Sequence, residues 1–148
     1  MIAPGVREPS MPDGVAVRFA RDADEGEGPL AGVDAGLGIV ETELAVLAGG
    51  DMPDLQVRVV LELVRVAGET AAEAVALQDG DRFRPLPAIV RADAARDAAR
   101  SLLTRGERRL RDLIEVLDVA VVDEATWVAL DPERRSLFDV DEVDDLGR

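Results

Sequence analysis

The sequence contains no cysteine and no histidine. Without cysteine there can be no disulfide, no zinc–thiolate site and no thiol nucleophile. Without histidine the commonest general base and metal ligand is missing, so acid–base or metal chemistry falls to Asp and Glu. All 17 basic residues are arginine. A GC-biased genome produces that composition, and it leaves guanidinium and backbone N–H groups as the only means of holding a phosphate. Aromatics are scarce, with three Phe, one Trp and no Tyr, so Val, Leu, Ile and Ala are expected to build the core. No apolar run approaches the roughly 18 residues that a membrane-spanning helix needs. The opening "MIAPGVREPS" has no apolar signal-peptide segment, and the expected location is cytoplasmic.

Acid is abundant: 31 Asp and Glu give a net charge of −14. Such a surface repels nucleic acid and anionic membranes and suits divalent cations. Neither nucleic acid nor membrane is expected as a partner. With 148 residues, 47% of them apolar, the chain is expected to fold as one domain over residues 1–148.

Hydrophobic periodicity organises the chain. In "GVAVRFA", Val15, Val17 and Phe19 alternate with Ala16, Arg18 and Ala20, which predicts a strand. "RDADEGEGPLAG" reads as a loop, and Val33, Leu37 and Val40 suggest a helix. "LAVLA" (44–48) is a short unbroken apolar run, as in a strand buried on both faces. Residues 54–66 read as a helix with Val59, Leu63 and Val66 inward and Arg58, Glu62 and Arg65 outward. A strand is expected at 72–78, a turn at Asp79–Gly80, and a return at Arg82–Arg84 that Pro85 and Pro87 interrupt. A helix is expected over 92–104, ended by Gly106. A second carries Leu110, Leu113, Ile114 and Leu117 on one face. "DVAVV" (118–122) reads as a strand, "DPERRSLFDV" as a loop and "DEVDDL" as a short helix. Strands alternating with helices predict a three-layer α/β/α sandwich with a mostly parallel, Rossmann-like sheet. Ligands collect at the carboxyl ends of strands in such folds, so loops 21–32, 49–54 and 131–141 are the candidates.

The stretch "AVLAGGDMPDL" (45–55) admits two readings. Gly49 and Gly50 could open a phosphate-cradling loop, or Asp51 could be a metal ligand at the end of a strand. On these residues alone Asp51 also reads as the cap of a helix beginning near Pro53.

Five segments together, in order over nearly the whole chain, resemble the molybdenum cofactor guanylyltransferase family of nucleotidyltransferase fold. "RDADEGEGPLAG" places Asp22 before a glycine loop, and "GGDMPDL" follows about 20 residues later. "DGDRFRPLPAIV" is similar to the family's Asp-Gly hairpin, "RGERRL" (105–110) to its Gly-Glu-Arg-Arg helix start, and "RSLFDVDEVDDL" (135–146) to its closing segment. The family's phosphate cradle also begins Leu-Ala-Gly-Gly, but there an Arg and a Lys follow. Here Asp51-Met52-Pro53 follows, after Gly-Pro-Leu-Ala-Gly rather than before it, so "LAGG" is a decoy and the stretch reads as the metal loop.

The resemblance implies an enzyme that transfers GMP from GTP to molybdopterin. Asp51 would be its catalytic metal ligand, and Mg²⁺ usually takes one or two carboxylates plus substrate phosphates. It implies nucleotide binding by Asp22, Gly28, Leu30, Gly32 and Asp51, and molybdopterin binding by Arg108, Arg109, Asp139 and Asp141, with Asp141 also near the metal. Read without it, Gly28–Gly32 is a turn before a helix, and Asp22, Asp139 and Asp141 are solvated acids. Arg108 and Arg109 are then surface charges at a helix N-terminus whose dipole they oppose. Asp139 stands where the family has Asn, and Asp141-Glu142-Val143-Asp144 departs from its Thr-Pro-Glu-Asp.

The family's first strand, glycine-rich phosphate loop and lysine have no counterpart in the sequence, so the expectation is an N-terminally truncated domain with impaired activity, or one completed by another chain. The rivals are a related cytidylyl- or sugar-phosphate nucleotidyltransferase and a non-catalytic relic that binds a molybdoenzyme or a cofactor-assembly protein.

Overall fold

The computed structural model describes residues 14, 16–20 and 28–138. Its elements are α1 (Pro29–Leu37), β1 (Leu44–Leu47), α2 (Val57–Glu69), β2 (Ala74–Asp79), β3 (Arg82–Arg91), α3 (Ala92–Thr104), α4 (Leu110–Val116), β4 (Val119–Val122), α5 (Glu124–Leu130) and a 3₁₀ turn, Arg135–Leu137. The chain divides into two compact units, one from Met1–Ala45 and Arg91–Leu117 and the other from Val46–Val90 and Asp118–Arg148.

The four strands are ordered β1-β3-β2-β4. The expected mostly parallel sheet is instead mixed: β2 pairs antiparallel with β3 and parallel with β4. The cause is local. Asp79 pairs with Arg82 across Gly80-Asp81, and Gly80 has φ +60. So tight a connection can join only antiparallel strands. Pro85 and Pro87 do not end the return strand as expected. The register jumps from Ala76 opposite Ala88 to Leu77 opposite Arg84. Both prolines thus sit in the irregularity, where a missing N–H breaks no ladder bond to β2.

Three further expectations are corrected. β1 is not buried on both faces: it ends the strand order, and Val46 is 48% exposed. Residues 16–19 form no regular strand, and Ala20 makes an isolated bridge. α2 begins at Val57 rather than Asp54, with Gln56 in extended conformation before it. The helix expected over "DEVDDL" lies outside the described residues.

In the first unit, α3 matches its expected bounds. Its end is a Schellman motif: Gly106 at φ +86 donates to the Leu103 carbonyl at 3.0 Å, and Glu107 N–H to the Leu102 carbonyl at 3.0 Å. Ala95, Ala99 and Leu102 are buried, as are Leu113 and Ile114 of α4 and Leu30, Val33 and Leu37 of α1.

In the second unit, Val59, Leu63 and Ala67 of α2 are buried, as are Ala74–Leu77 of β2 and Ala88–Val90 of β3. Among the described residues, the core expected to be Val, Leu, Ile and Ala also holds Met52 and the sole tryptophan. Trp127 lies on α5 and is fully buried. Its indole N–H donates to the Gln78 carbonyl at 2.6 Å, and the Arg134 guanidinium lies 5.1 Å from the ring centre. Asp123 caps α5, accepting from the Thr126 N–H at 2.8 Å and its hydroxyl at 2.9 Å. These bonds draw the Asp123 carboxyl below the usual carboxylate range.

Candidate functional site

In the first unit the structure brings two of the motif segments together. Gly28 precedes α1 with φ 86 and ψ 177, a conformation essentially reserved for glycine. The Leu30 N–H donates to the Arg108 carbonyl at 3.3 Å. A Cβ on Gly28 would sit 3.3 Å from both the Cβ and the carbonyl oxygen of Arg108. Glycine is therefore needed twice over, for its dihedral and for the close approach. Gly28→Ala should destabilise the unit by about 1–3 kcal/mol, read as a lowered midpoint in thermal unfolding; an unchanged midpoint would show that the joint relaxes freely. Leu30 and Gly32 are not in a loop: both are buried within α1.

Arg108 does not start a helix against its dipole. α4 begins at Leu110, and the Arg108 Nη1 reaches back to the Leu103 carbonyl at 3.1 Å and the Glu107 carbonyl at 2.9 Å. Leu103 lies in the last turn of α3, where a cation is favoured. Arg109 is the exposed residue before α4.

In the second unit, Asp51 is exposed in the loop between β1 and α2. Met52 anchors that loop. It is buried, its N–H donates to the Gly49 carbonyl at 3.4 Å, and its sulfur receives the Gly49 N–H at 3.3 Å. A Cβ on Gly49 would fall 2.1 Å from Asp51 Oδ1. The carboxylate is thus folded back over the bare Cα of Gly49. A Cβ on Gly50 would meet nothing within 4 Å. One glycine accommodates the acid and the other leaves open space beside it. Since α2 starts at Val57 after Gln56, Asp51 is not the cap of that helix.

The donor set can be tested against Mg²⁺. No group of three or more acids among the described residues could cage a metal ion. A single exposed carboxylate fits a Mg²⁺ that keeps water and phosphate oxygens as its other ligands. Asp51 fits in that sense. Asp22, Asp139 and Asp141 lie outside the described residues.

Sequence reasoning missed the order built around residues 131–136. Asp131 and Ser136 are the buried polar side chains among the described residues, at 3% and 0% exposure. Asp131 Oδ1 accepts from the Arg135 N–H at 3.1 Å, and Oδ2 from the Ser136 N–H at 2.7 Å. Ser136 Oγ accepts the Gln56 N–H at 3.1 Å. Burial alone would raise the Asp131 pKa, but the Ser136 amide and hydroxyl and the Arg135 amide outweigh it and hold the carboxyl below the usual range. A depressed carboxylate contributes stability that is complete above the unfolded value of about 3.9 and lost as pH falls through the folded value. Asp131→Asn should therefore destabilise at pH 7 by about 1.5–3 kcal/mol, with the gap to the parent narrowing in acid. Urea titrations at pH 7 and pH 3 check it; a gap that stays constant would refute the assignment.

Nearby, Asp79 receives Arg84 at 2.6 Å and Arg134 at 3.0 Å, and Arg134 also pairs with Glu124. Arg84 foremost holds the Asp79 carboxyl low against the opposing effect of burial, and Arg134 adds to it. The Gly80 N–H, at 2.9 Å, and Arg134 do the same for Glu124. Arg134 has φ 55, so a left-handed residue joins the hairpin tip, α5 and the indole.

Helices beside a mixed β-sheet give this chain a nucleotidyltransferase-type fold. The same fold occurs in a cytidylyltransferase structure from Thermus thermophilus, 2-C-methyl-D-erythritol 4-phosphate cytidylyltransferase, at a TM-score of 0.70 and 18% identity over 98% of this chain and 76% of that one. The sequence profile of the MobA-like NTP transferase domain matches residues 4–123, and the chain belongs to that family. A structure of molybdopterin-guanine dinucleotide biosynthesis protein A from Archaeoglobus fulgidus is similar at a TM-score of 0.72 and 26% identity, over 86% of this chain and 64% of that one. A probable molybdenum cofactor guanylyltransferase of Mycobacterium tuberculosis strain H37Rv is 36% identical over 121 residues, which is 80% of this chain and 57% of that protein. One from Mycobacterium avium strain 104 is 35% identical over 149 residues, 99% of this chain and 69% of that protein. The chain therefore spans little more than half the length of the first of these relatives. No helix among the described residues is long and apolar enough to cross a membrane.

Proposed function

We propose that the chain carries nucleotide- and metal-binding parts of a guanylyltransferase acting on molybdopterin, with GTP and Mg²⁺ as its other ligands. The observation that carries this reading is the Asp51 carboxylate held over Gly49 at an exposed loop after β1, in a chain of the MobA-like family. In the proposed reaction an anionic phosphate of the pterin attacks the α-phosphate of GTP. A P–O bond forms to the pterin phosphate as the bond to pyrophosphate breaks. The nucleophile is already ionised, so no general base is needed, in keeping with a sequence free of histidine. Catalysis of this kind rests on positioning and charge neutralisation. Mg²⁺, when bound, would neutralise charge on the triphosphate. Asp51 would ligate it, the open side of Gly50 would admit the phosphates, and Gly28 would present the chain entering α1 to the nucleotide. Arg109 is exposed and suited to a phosphate of the pterin. Asp22, Asp139 and Asp141 are proposed for nucleotide, pterin and pterin-with-metal contacts respectively.

Calorimetric titration with Mg·GTP and Mg·CTP tests the proposal. The expected result is tighter binding of GTP by about tenfold or more, as hydrogen-bonded base discrimination requires. Equal affinities would reject guanylyl specificity and favour a transferase for another nucleotide; no binding of either would reject the nucleotide reading.

A further inference from the structure

We propose that Asp131 and Ser136 are positioning residues for the loop that displays Asp51. This rests on the reading of Asp51 as the metal ligand, but its structural half is testable without it.

The two side chains are the buried polar groups of the described residues, and burying a carboxylate is unfavourable unless its oxygens are hydrogen-bonded. Here they are. Asp131 binds the amides of Arg135 and Ser136, one on each carboxylate oxygen. Ser136 Oγ accepts the Gln56 N–H, a bond that links residues 80 apart in sequence. Gln56 closes the loop. Its carbonyl accepts from the Val59 and Val60 amides of α2 at 3.0 and 3.2 Å, and its side chain donates to the Asp54 carbonyl at 2.8 Å. At the loop's other end, Met52 is buried and bonded to Gly49. Asp51 thus sits inside the Gly49–Met52 turn, and the stretch that follows it is fixed at Gln56 by the Asp131–Ser136 pair. A fully satisfied buried polar network specifies one geometry where apolar packing tolerates several. A displaced metal ligand typically loses ten- to a hundredfold in affinity when its support is removed.

Two variants of the full chain test this. Ser136→Ala removes the acceptor. Gln56→Pro removes the N–H donor, together with the side-chain bond to Asp54, and leaves the buried pair intact; Gln56 has φ −78, a value proline adopts. Hydrogen exchange at the Met52 amide is measured alongside Mn²⁺ affinity by electron paramagnetic resonance. In both variants Met52 should exchange about tenfold faster while the Ile89 amide of β3 is unchanged, and Mn²⁺ affinity should fall about tenfold. If Ser136→Ala does not fold, Gln56→Pro decides. Met52 exchange within about twofold of the parent overturns the proposal. So does faster exchange with an Asp51-dependent Mn²⁺ affinity that stays the same. If exchange rises as expected but Asp51→Ala leaves Mn²⁺ binding unaltered, the loop support stands and the metal reading of Asp51 falls.

Discussion

Asp51→Ala should weaken binding of Mn²⁺ and of Mg·GTP by about ten- to a hundredfold, the loss expected when a charged partner is removed from a site worth roughly 1.5–3 kcal/mol. The fold should survive, because Asp51 is exposed, caps no helix and supports no buried group. Gly49→Ala is the sharper companion. It keeps every ligand atom, yet the added methyl would lie 2.1 Å from Asp51 Oδ1. Side-chain atoms cannot share that space, so the carboxylate must rotate away, and a loss of about tenfold or more is expected. Together the variants separate the presence of the acid from its placement. Metal titrations that leave Gly49→Ala as tight as the parent while Asp51→Ala is weak would mean that any orientation of the acid suffices. Parent-like binding by both would remove Asp51 from the site.

The second large effect is on stability. Trp127→Ala should destabilise the chain by about 3–5 kcal/mol, the usual loss for emptying a large core position. Trp127 is the largest fully buried side chain, and its removal also strands the Gln78 carbonyl and the Arg134 guanidinium that rests on the ring. Trp127→Phe keeps most of the apolar volume but no N–H, and should cost less, about 1–3 kcal/mol. Chemical denaturation of the three proteins would show the order; an alanine variant within about 1 kcal/mol of the parent would mean that the cavity collapses without penalty.

Where the pattern was local and long, the sequence disclosed the fold. The Ala and Leu spacing over 92–104 and the glycine at 106 determine α3 and its end, because a three-turn apolar stripe and a left-handed cap need no distant partner. α5 escaped notice for the opposite reason. Seven residues are too few for a periodicity, although Asp123 three residues before Thr126 is a capping signal. Pro85 and Pro87 read as breaks because the sequence does not show that an irregularity would accommodate them. The mixed sheet follows from the Gly80-Asp81 turn, which was legible as a turn, but its consequence for strand direction was outweighed by the alternation of strands and helices.

The place of Asp51 in a loop after a strand was legible, but its folded-back geometry was not. The latter needed the contact of one side chain with the Cα two residues earlier. Arg108 was read as part of the start of α4, whereas that helix begins at Leu110 and the Arg108 guanidinium reaches back to the helix before it. Asp131 and Ser136 looked like ordinary loop residues, since nothing in a single sequence marks which polar groups a distant amide will bury.

With one tryptophan and no tyrosine in the chain, indole fluorescence comes from Trp127 alone. That indole stands in the second of the two compact units, so fluorescence is blind to the first, whose helices would still contribute to circular dichroism. Optical melts followed by the two methods would therefore coincide only if both units lose structure together, and this single aromatic makes the cooperativity of the whole chain measurable without any label.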